Sequence, residues 1–380
     1  MEHKRTTLAN IAYQAQVSMA TVDRVLNGRC GVKQRTKARV LNAAVEVGYL
    51  SALEGRQLAG EGVSLLAPRA PGRNEGPDVD PAKPVTLDFL LGGSANTFIT
   101  MLSSQVVQQT ALFPGVDARV HSIRGFNPDE FARALRGLAG RSDGVGIIAV
   151  DHPTVREAIR DLVRAGTPVL TLVSDISSVA TIGYVGIDNR AAGRLAGYLL
   201  GRFVGRAEGG VALFAGALAY RGHEEREMGF RHALRERFPN LRITVHREIQ
   251  DDSARAYSET RSILDTCPDL VGLYNIGGGN RGIGTALEES GRTGSIVFIG
   301  HDLSEHTRRF LLTGVMDAVI DQNPAVEAYK SIECLSAVAR GLPRPSCPPL
   351  PIIPVFNENI PLDGGVPQEE LLPVLPEARA

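Results

Sequence analysis

Between residues 85 and 322 short apolar runs alternate with helix-patterned segments, and that alternation limits the chain to few architectures. The runs are VTLDFLLG (85–92), ARVHSI (118–123), VGIIAVD (145–151), TPVLTLVSD (167–175), GVALFAG (210–216), RITVHREI (242–249), LVGLYNI (270–276), SIVFIGHD (295–302) and DAVIDQ (317–322). Most are apolar on consecutive positions, as strands buried on both faces of a parallel sheet must be. Parallel neighbours need a crossover, usually a helix, so the pattern reads as βαβ units. Nine such strands exceed one comfortable doubly wound domain, which predicts two similar lobes within residues 85–360. In open α/β sheets ligands bind beyond the C-terminal strand ends, so a cleft between the lobes is expected there.

The head of the chain has a different character. Residues 61–84, EGVSLLAPRAPGRNEGPDVDPAKP, carry Pro, Gly and charge without a period and read as a flexible linker. Before them, TLANIAYQAQ, SMATVDRVL and QRTKARVLNAAVEVGY each place apolar residues on one helical face. Thr7 and Ser18 stand at N-cap positions. If the first two helices cross steeply, Ala12 allows close contact, Val17 plugs the turn, and Val22 and Val25 face inward. Met19, Ala20, Asp23, Arg24 and Asn27 then face outward, as in the second helix of a DNA-reading helix-turn-helix. Residues 1–60 hold nine Lys and Arg against four Asp and Glu, and the remainder 32 against 38. A basic head on a mildly acidic body suits phosphate contacts, although chance surface charge or a helical bundle that binds no DNA would give a similar balance.

Other classes find less support. The four cysteines, Cys30, Cys267, Cys334 and Cys347, form no CxxC, so reduced thiols are expected and neither a zinc site nor a disulfide framework. MEHKRTTLAN lacks the apolar stretch of a secretory leader and no apolar run reaches membrane-span length, so a cytoplasmic chain without membrane contact is expected. The missing leader and the basic head also argue against a transport binding protein. No G-x-S-x-G, P-loop or H-E-x-x-H is present, which leaves no catalytic residues, metal or cofactor expected. His152 and His301 are read as polar pocket or surface residues. The rival reading is an NAD-dependent oxidoreductase, because Gly277, Gly279 and Gly282 satisfy G-x-G-x-x-G after an apolar run, with Asp302 twenty residues on. That motif lies in a late βα unit, whereas a dinucleotide fingerprint opens the first, so a chance match is preferred. The Pro-rich tail, 361–380, shows no heptad pattern.

The head resembles that of the lactose/galactose repressor (LacI/GalR) family through T-L-x-x-I-A, V-S-x-x-T-V-x-R-V-L-N-G, V-x-x-x-T-x-x-x-V and the closing G-Y. The resemblance implies base contacts from Met19, Ala20 and Arg24, and phosphate contacts from Thr7, Ser18, Thr21 and Asn27. It also implies a hinge helix over about 52–60, ALEGRQLAG, with Leu58 as the minor-groove wedge. Ser51-Ala52 replaces the family's usual Pro-Asn, Gly55 sits inside the hinge helix and Gln16 replaces a glycine, so a more labile hinge helix is expected. Residues 85–340 are similar to pentose- and hexose-binding periplasmic proteins and to the effector domain of the same regulators, through GGSANTFITML, TLVSD, YVGIDNRAAGRLAG, EREMGF, GLYNIGGGNRG, FIGHDL and AVIDQNP.

That second resemblance implies ligand contacts from Ser94, Asn96, Phe98, Ser174 and Asp175 in the first lobe and Asn275, Asp302 and Gln322 in the second. Amides and carboxylates suit adjacent hydroxyls, and Phe98 suits a sugar's C–H face, although Asp and Asn at strand ends also cap the next helix. The relatives' effector arginine falls at Glu224 here, so Arg221 is the expected substitute, and Asp188 and Asn189 are read as capping and hinge residues. The expectation is a homodimeric, ligand-responsive regulator: a three-helix helix-turn-helix domain plus a two-lobed periplasmic-binding-protein-like α/β domain. It would bind near-palindromic operator DNA and a sugar or polyol effector. The family usually has serine where Asp23 stands, and Asp23 can only accept, for example from a cytosine amino group. Asp23→Ser should therefore alter or loosen operator choice without unfolding the head, as read by selection of bound duplexes together with far-UV circular dichroism.

Overall fold

The computed structural model describes residues 11–12, 15, 17–26, 34–46, 83–93, 96–123, 125–205 and 208–361. They belong to two compact units, Met1–Gly76 and Pro77–Ala380. Among the described residues no helix is long and apolar enough to cross a membrane, and no group of three or more His, Cys, Asp or Glu could hold a metal ion.

In the first unit, helical residues at 11, 12 and 15 precede α1 (Met19–Leu26) and α2 (Gln34–Glu46). Ser18 supplies the cap of α1: its Oγ accepts from the Thr21 N–H at 3.3 Å and lies 2.9 Å from the Thr21 hydroxyl. Ile11, Ala15, Val22, Val25, Val40, Leu41 and Ala44 form a small core, with Val17 and Leu26 packed on its edge. The Val17 N–H donates to the Ala12 carbonyl at 3.0 Å and closes the turn. Met19, at 56% exposure, and Arg24 lie on the outer face of α1. Thr7, Asn27 and Leu58, and with them the expected hinge helix and the linker up to residue 82, lie outside the described residues, as do the side chains of Ala20 and Asp23.

The second unit holds two sheets. Lobe 1 runs β1 (Val85–Gly92), α3 (Thr97–Thr110), β2 (Val116–Ile123), α4 (Pro128–Gly137), β3 (Gly144–Ile148), α5 (Pro153–Arg164), β4 (Val169–Leu172) and β5 (Gly183–Val185). Its five strands are all parallel in the order β2-β1-β3-β4-β5. Lobe 2 runs α6 (Asn189–Val204), β6 (Gly209–Ala215), α7 (Arg221–Arg237), β7 (Leu241–Glu248), α8 (Ser253–Thr266), β8 (Leu270–Asn275), α9 (Asn280–Glu289), β9 (Val297–His301), α10 (Glu305–Leu312) and β10 (Ala318–Asp321). α11 (Pro324–Ala339) then returns to the lobe 1 core, and β11 (Ile353–Val355) pairs antiparallel with β10 in lobe 2. The chain thus crosses between lobes three times, near residues 186–188, at 322–323 and over 341–352. Leu350 N–H donates to the Gly186 carbonyl at 2.9 Å and joins the first crossing to the third.

Strand periodicity explains why lobe 2 has a core on each face. Ala212 and Phe214 point into a cluster under α8, α9 and α10, whereas Val211, Leu213 and Ala215 point into one under α6 and α7. Short polar residues start most helices, with Asn127, His152 and Asn323 each capping just before a proline at the first helical position. β5 and β11 escape the sequence pattern because three residues carry no readable period, and β11 contains Pro354, which an edge strand tolerates. The cysteine expectation needs correction. Cys334 on α11 is joined to Cys347 in the third crossing, and only Cys267 is a free cysteine among the described residues. No motif marks that pair, because it is the return of the third crossing beside α11 that brings the two sulfurs together.

Two glycines let α6 and α7 touch. A Cβ on Gly193 would lie 2.0 Å from the Arg226 carbonyl oxygen, and one on Gly229 would lie 2.1 Å from that of Arg190. Both contacts are to backbone, which cannot swing aside. Gly193→Ala or Gly229→Ala should therefore lower stability to urea by about 1–3 kcal/mol. Gly137→Ala, at an open position with nothing within 4 Å, should be neutral or slightly stabilising in the same measurement.

Candidate functional site

The C-terminal ends of both sheets face a cleft. Its walls come from Gly92, Asn96, Phe98, Ile99, Ile148, Val173 and Ser174 of lobe 1 and from Tyr220, Gly222, His223, Arg226, Asp251, Gly277 and Asp302 of lobe 2, with Gln322 in the second crossing. Two side chains bond across it. Asn96 Nδ2 donates to Asp251 Oδ2 at 3.0 Å, and Ser174 Oγ accepts from the Gly222 N–H at 3.0 Å. Asn96 is at the same time the N-cap of α3, its Oδ1 accepting from the Phe98 N–H at 2.9 Å.

Arg226 occupies the floor, 3% exposed. Its Nε donates to Asn189 Oδ1 at 2.7 Å, Nη1 to the Ile276 carbonyl at 3.0 Å and Nη2 to Gln322 Oε1 at 2.6 Å. All three acceptors are neutral, and these bonds use three of the guanidinium's five N–H groups. Gln322 passes the network on, donating Nε2 to Asp302 Oδ1 at 2.8 Å. Asp302 sits at φ 69° with its carboxyl pushed up to about 7, chiefly because burial removes its hydration; Arg226 and the Gln322 bond oppose that shift. Burial likewise lowers His223 and holds His301 well below the usual histidine range, so neither serves as a cation. The His301 ring lies 2.8 Å from the buried Tyr274 hydroxyl.

The structure brings Asn96, Phe98, Ser174, Asp302 and Gln322 together on the walls of one cleft. Three expected ligand residues stand elsewhere. Asp175 Oδ1 accepts from Thr171 Oγ1 at 2.7 Å and from the Ile176 N–H at 2.9 Å, bracing the end of β4. Asn275 is fully buried, and its Nδ2 reaches the Gly277 and Gly278 carbonyls and Asn280, which holds the glycine turn in place. Arg221 pairs with Glu225 at 2.8 Å on the outer side of α7. The reason is helical phase: Gly222, Arg226, Gly229, Phe230 and Ala233 form the buried face and Arg221 is off it. Ser94 lies outside the described residues. Asp188 caps α6, accepting from the Ala191 N–H at 2.9 Å, and Asn189 bonds the Val173 carbonyl at 2.9 Å.

Arg226, Asp251, Tyr220 and His223 are cleft residues that the sequence reading passed over. Arg226 carried a usable signal, being an arginine on the apolar face of α7, where a lone charge must have partners. Asp251 carried little, since Asp251-Asp252-Ser253 reads as a capping cluster, and Asp252 is indeed the cap of α8. The G-x-G-x-x-G segment follows β8 and opens α9. Gly277 borders the cleft, whereas a Cβ on Gly282 would meet the Ser253 carbonyl at 1.9 Å, so that glycine serves the α8–α9 contact.

The raised Asp302 carboxyl has a pH consequence. Native Asp302 keeps its proton up to about pH 7, while in the unfolded chain it loses it near pH 4. The folded state binds more protons in that window, so this group's contribution to stability falls as pH rises from about 4 to 7 and is level beyond. Asp302→Asn should remove part of the decline, seen as a smaller difference between the melting temperatures at pH 5 and pH 7.5 than in the unsubstituted protein.

Residues 7–51 match the family "Bacterial regulatory proteins, lacI family", and residues 95–343 match "Periplasmic binding protein domain". The chain is similar to the sucrose operon repressor of Escherichia coli, 31% identical over 156 residues that make up 40% of this chain and 41% of that protein. It is similar to the HTH-type transcriptional regulator MalR of Streptomyces coelicolor, 33% identical over 193 residues, 50% of this chain and 49% of that one. The chain thus spans about half the length of the relatives it matches. In fold it is similar to an ABC transporter solute-binding protein of Burkholderia graminis crystallised with D-arabinose, with a TM-score of 0.69 and 21% identity over 73% of this chain and 97% of that one. With most of its length so matched, the chain belongs to the periplasmic-binding-protein domain family over residues 95–343 and carries at residues 7–51 a head that matches the lacI family of bacterial regulatory proteins.

Proposed function

We propose that this protein is a sequence-specific DNA-binding transcriptional regulator whose two-lobed body senses a small sugar or polyol and whose target genes serve that compound's uptake or breakdown. The observation that carries the reading is the wiring of the cleft floor to the crossings. Arg226 bonds Asn189 at the start of α6 and Gln322 in the second crossing, so a ligand in contact with it acts on the segments that set the angle between lobes. A ligand that favours one angle shifts the population by its differential affinity for the two states. The effector class follows from the wall chemistry, which mixes amide and guanidinium donors with carboxyl acceptors and sets Phe98 beside them. The names of the two relatives, a sucrose operon repressor and a transcriptional regulator, support the same reading.

On the DNA side, α1 enters the major groove through Met19, Ala20 and Arg24, with Asp23 beside them. Thr7, Ser18, Thr21 and Asn27 hold phosphates, and Leu58 wedges the minor groove. The chain works as a homodimer on a near-palindromic operator, and the sugar releases it from DNA.

Two substitutions separate the halves of this reading. Arg24→Ala should weaken operator binding by about 10- to 100-fold, since a bidentate guanine contact is worth roughly 1–3 kcal/mol, and leave sugar-induced thermal shifts unchanged. Arg226→Lys keeps the charge but loses the planar fork, and should abolish the sugar response while DNA affinity persists. Operators selected from random duplexes and read by fluorescence anisotropy provide the measurement. Retained sugar response in Arg226→Lys would remove the cleft from the mechanism.

A further inference from the structure

Tyr220 stands just before α7, is 5% exposed and borders the cleft, yet its hydroxyl has no hydrogen-bond partner. Phe126 of lobe 1 packs edge-on with its ring at 5.5 Å, and His223 at 5.6 Å. Burial keeps the phenol protonated, so it remains a donor. Across from it, Asp251 Oδ1 accepts from the Gly278 N–H at 2.7 Å and Oδ2 accepts from Asn96 at 3.0 Å, with no cation paired to it among the described residues. Gly93 shows how near these groups are. A Cβ built there would lie 3.7 Å from Tyr220 Oη and 3.9 Å from Asp251 Oδ2, so a donor with nothing to donate to and an acceptor with spare lone pairs border one small space.

We infer that Tyr220 and Asp251 together read one free hydroxyl of an uncharged polyhydroxylated effector, the phenol donating to its oxygen and the carboxylate accepting its O–H. The pair gives the site two selectivities. A deoxy analogue leaves two buried polar groups unmatched, a mismatch that sites of this kind reject strongly. A phosphate monoester at the same position places its charge against Asp251, so phosphorylated sugars are rejected as well. The inference rests on the reading of the cleft as the effector site.

The test uses the full chain. D-arabinose, D-xylose, D-glucose, D-galactose, xylitol and myo-inositol are screened by thermal shift, and calorimetry gives a Kd for each that stabilises the protein, for its monophosphate and for its deoxy analogues. Tyr220→Phe removes only the hydroxyl, and its two effects should have opposite signs. Affinity for the stabilising sugar falls by at least ~10-fold, while the ligand-free melting temperature stays level or rises because an unpartnered buried hydroxyl is gone. The monophosphate and one deoxy analogue should bind the unsubstituted protein at least ~10-fold more weakly than the parent, and Asp251→Asn should narrow the gap for the monophosphate. A sugar that stabilises both proteins with Kd values within twofold overturns this inference alone, as does a lower ligand-free melting temperature in Tyr220→Phe, which marks a structural hydroxyl. A monophosphate bound as tightly as its parent sugar does the same. Silence of the unsubstituted protein across the whole screen overturns the sugar reading of the cleft and this inference with it.

Discussion

The body of the protein depends on one buried cation. Moving a guanidinium out of water is costly unless hydrogen bonds replace its hydration, and Arg226 has no carboxylate directly against it. It is held by the Asn189 amide, the Ile276 carbonyl and the Gln322 amide. Those acceptors come from the first residue of α6, the end of β8 and the second crossing. One side chain therefore fixes three segments that meet only between the lobes. The reciprocal glycine contacts of α6 and α7 are what bring Asn189 close enough, because Gly193 packs on the backbone carbonyl of Arg226 itself.

The surroundings of that cation are rich in acids that burial keeps from ionising readily. Asp302 titrates near 7, and Asp321 and Glu327 are both raised by loss of hydration. Glu327 is fully buried at the start of α11, and neither of its oxygens has a partner, which a protonated carboxyl tolerates far better than a carboxylate. Tyr184 and Asn189 complete the polar centre, the tyrosine hydroxyl lying within hydrogen-bond distance of the Val173 carbonyl in lobe 1 and the Ile187 carbonyl in the first crossing. The crossings are thus joined by polar contacts together with apolar ones from Ile187 and Leu350, the latter packing on a core of each lobe.

Much of this architecture was legible in the sequence, and the exceptions have physical reasons. Seven of the strands announce themselves because burial on both faces demands apolar runs and the edge strands β2 and β7 by alternation, whereas β5 and β11 depend on their neighbours for definition. The head's inward set, Ile11, Ala12, Ala15, Val22 and Val25, follows from helical spacing alone, and α1 and α2 form as that spacing requires. Within the cleft, Asn96, Phe98, Ser174, Asp302 and Gln322 are residues that the resemblance to sugar-binding proteins implies. Arg226, not the expected Arg221, reaches the cleft because helical phase places it on the buried face of α7. Asp251 was hidden by Asp252, its neighbour and a genuine cap. The pairing of Cys334 with Cys347 had no local signature.

Local choices are legible in the chain alone: periods of two and near 3.6, caps before helices, and a basic head ahead of an α/β body. These follow from forces acting within a few residues. Which polar groups share the cleft is set by the folded chain, since Tyr220, Asp251 and Asn96 come from different strand ends and meet only when the two lobes are placed by three crossings. The fold also sets their chemical state. Asp302 is an ordinary aspartate in the chain and an acid titrating near 7 in the fold, because hydration is lost through burial by segments far away in sequence.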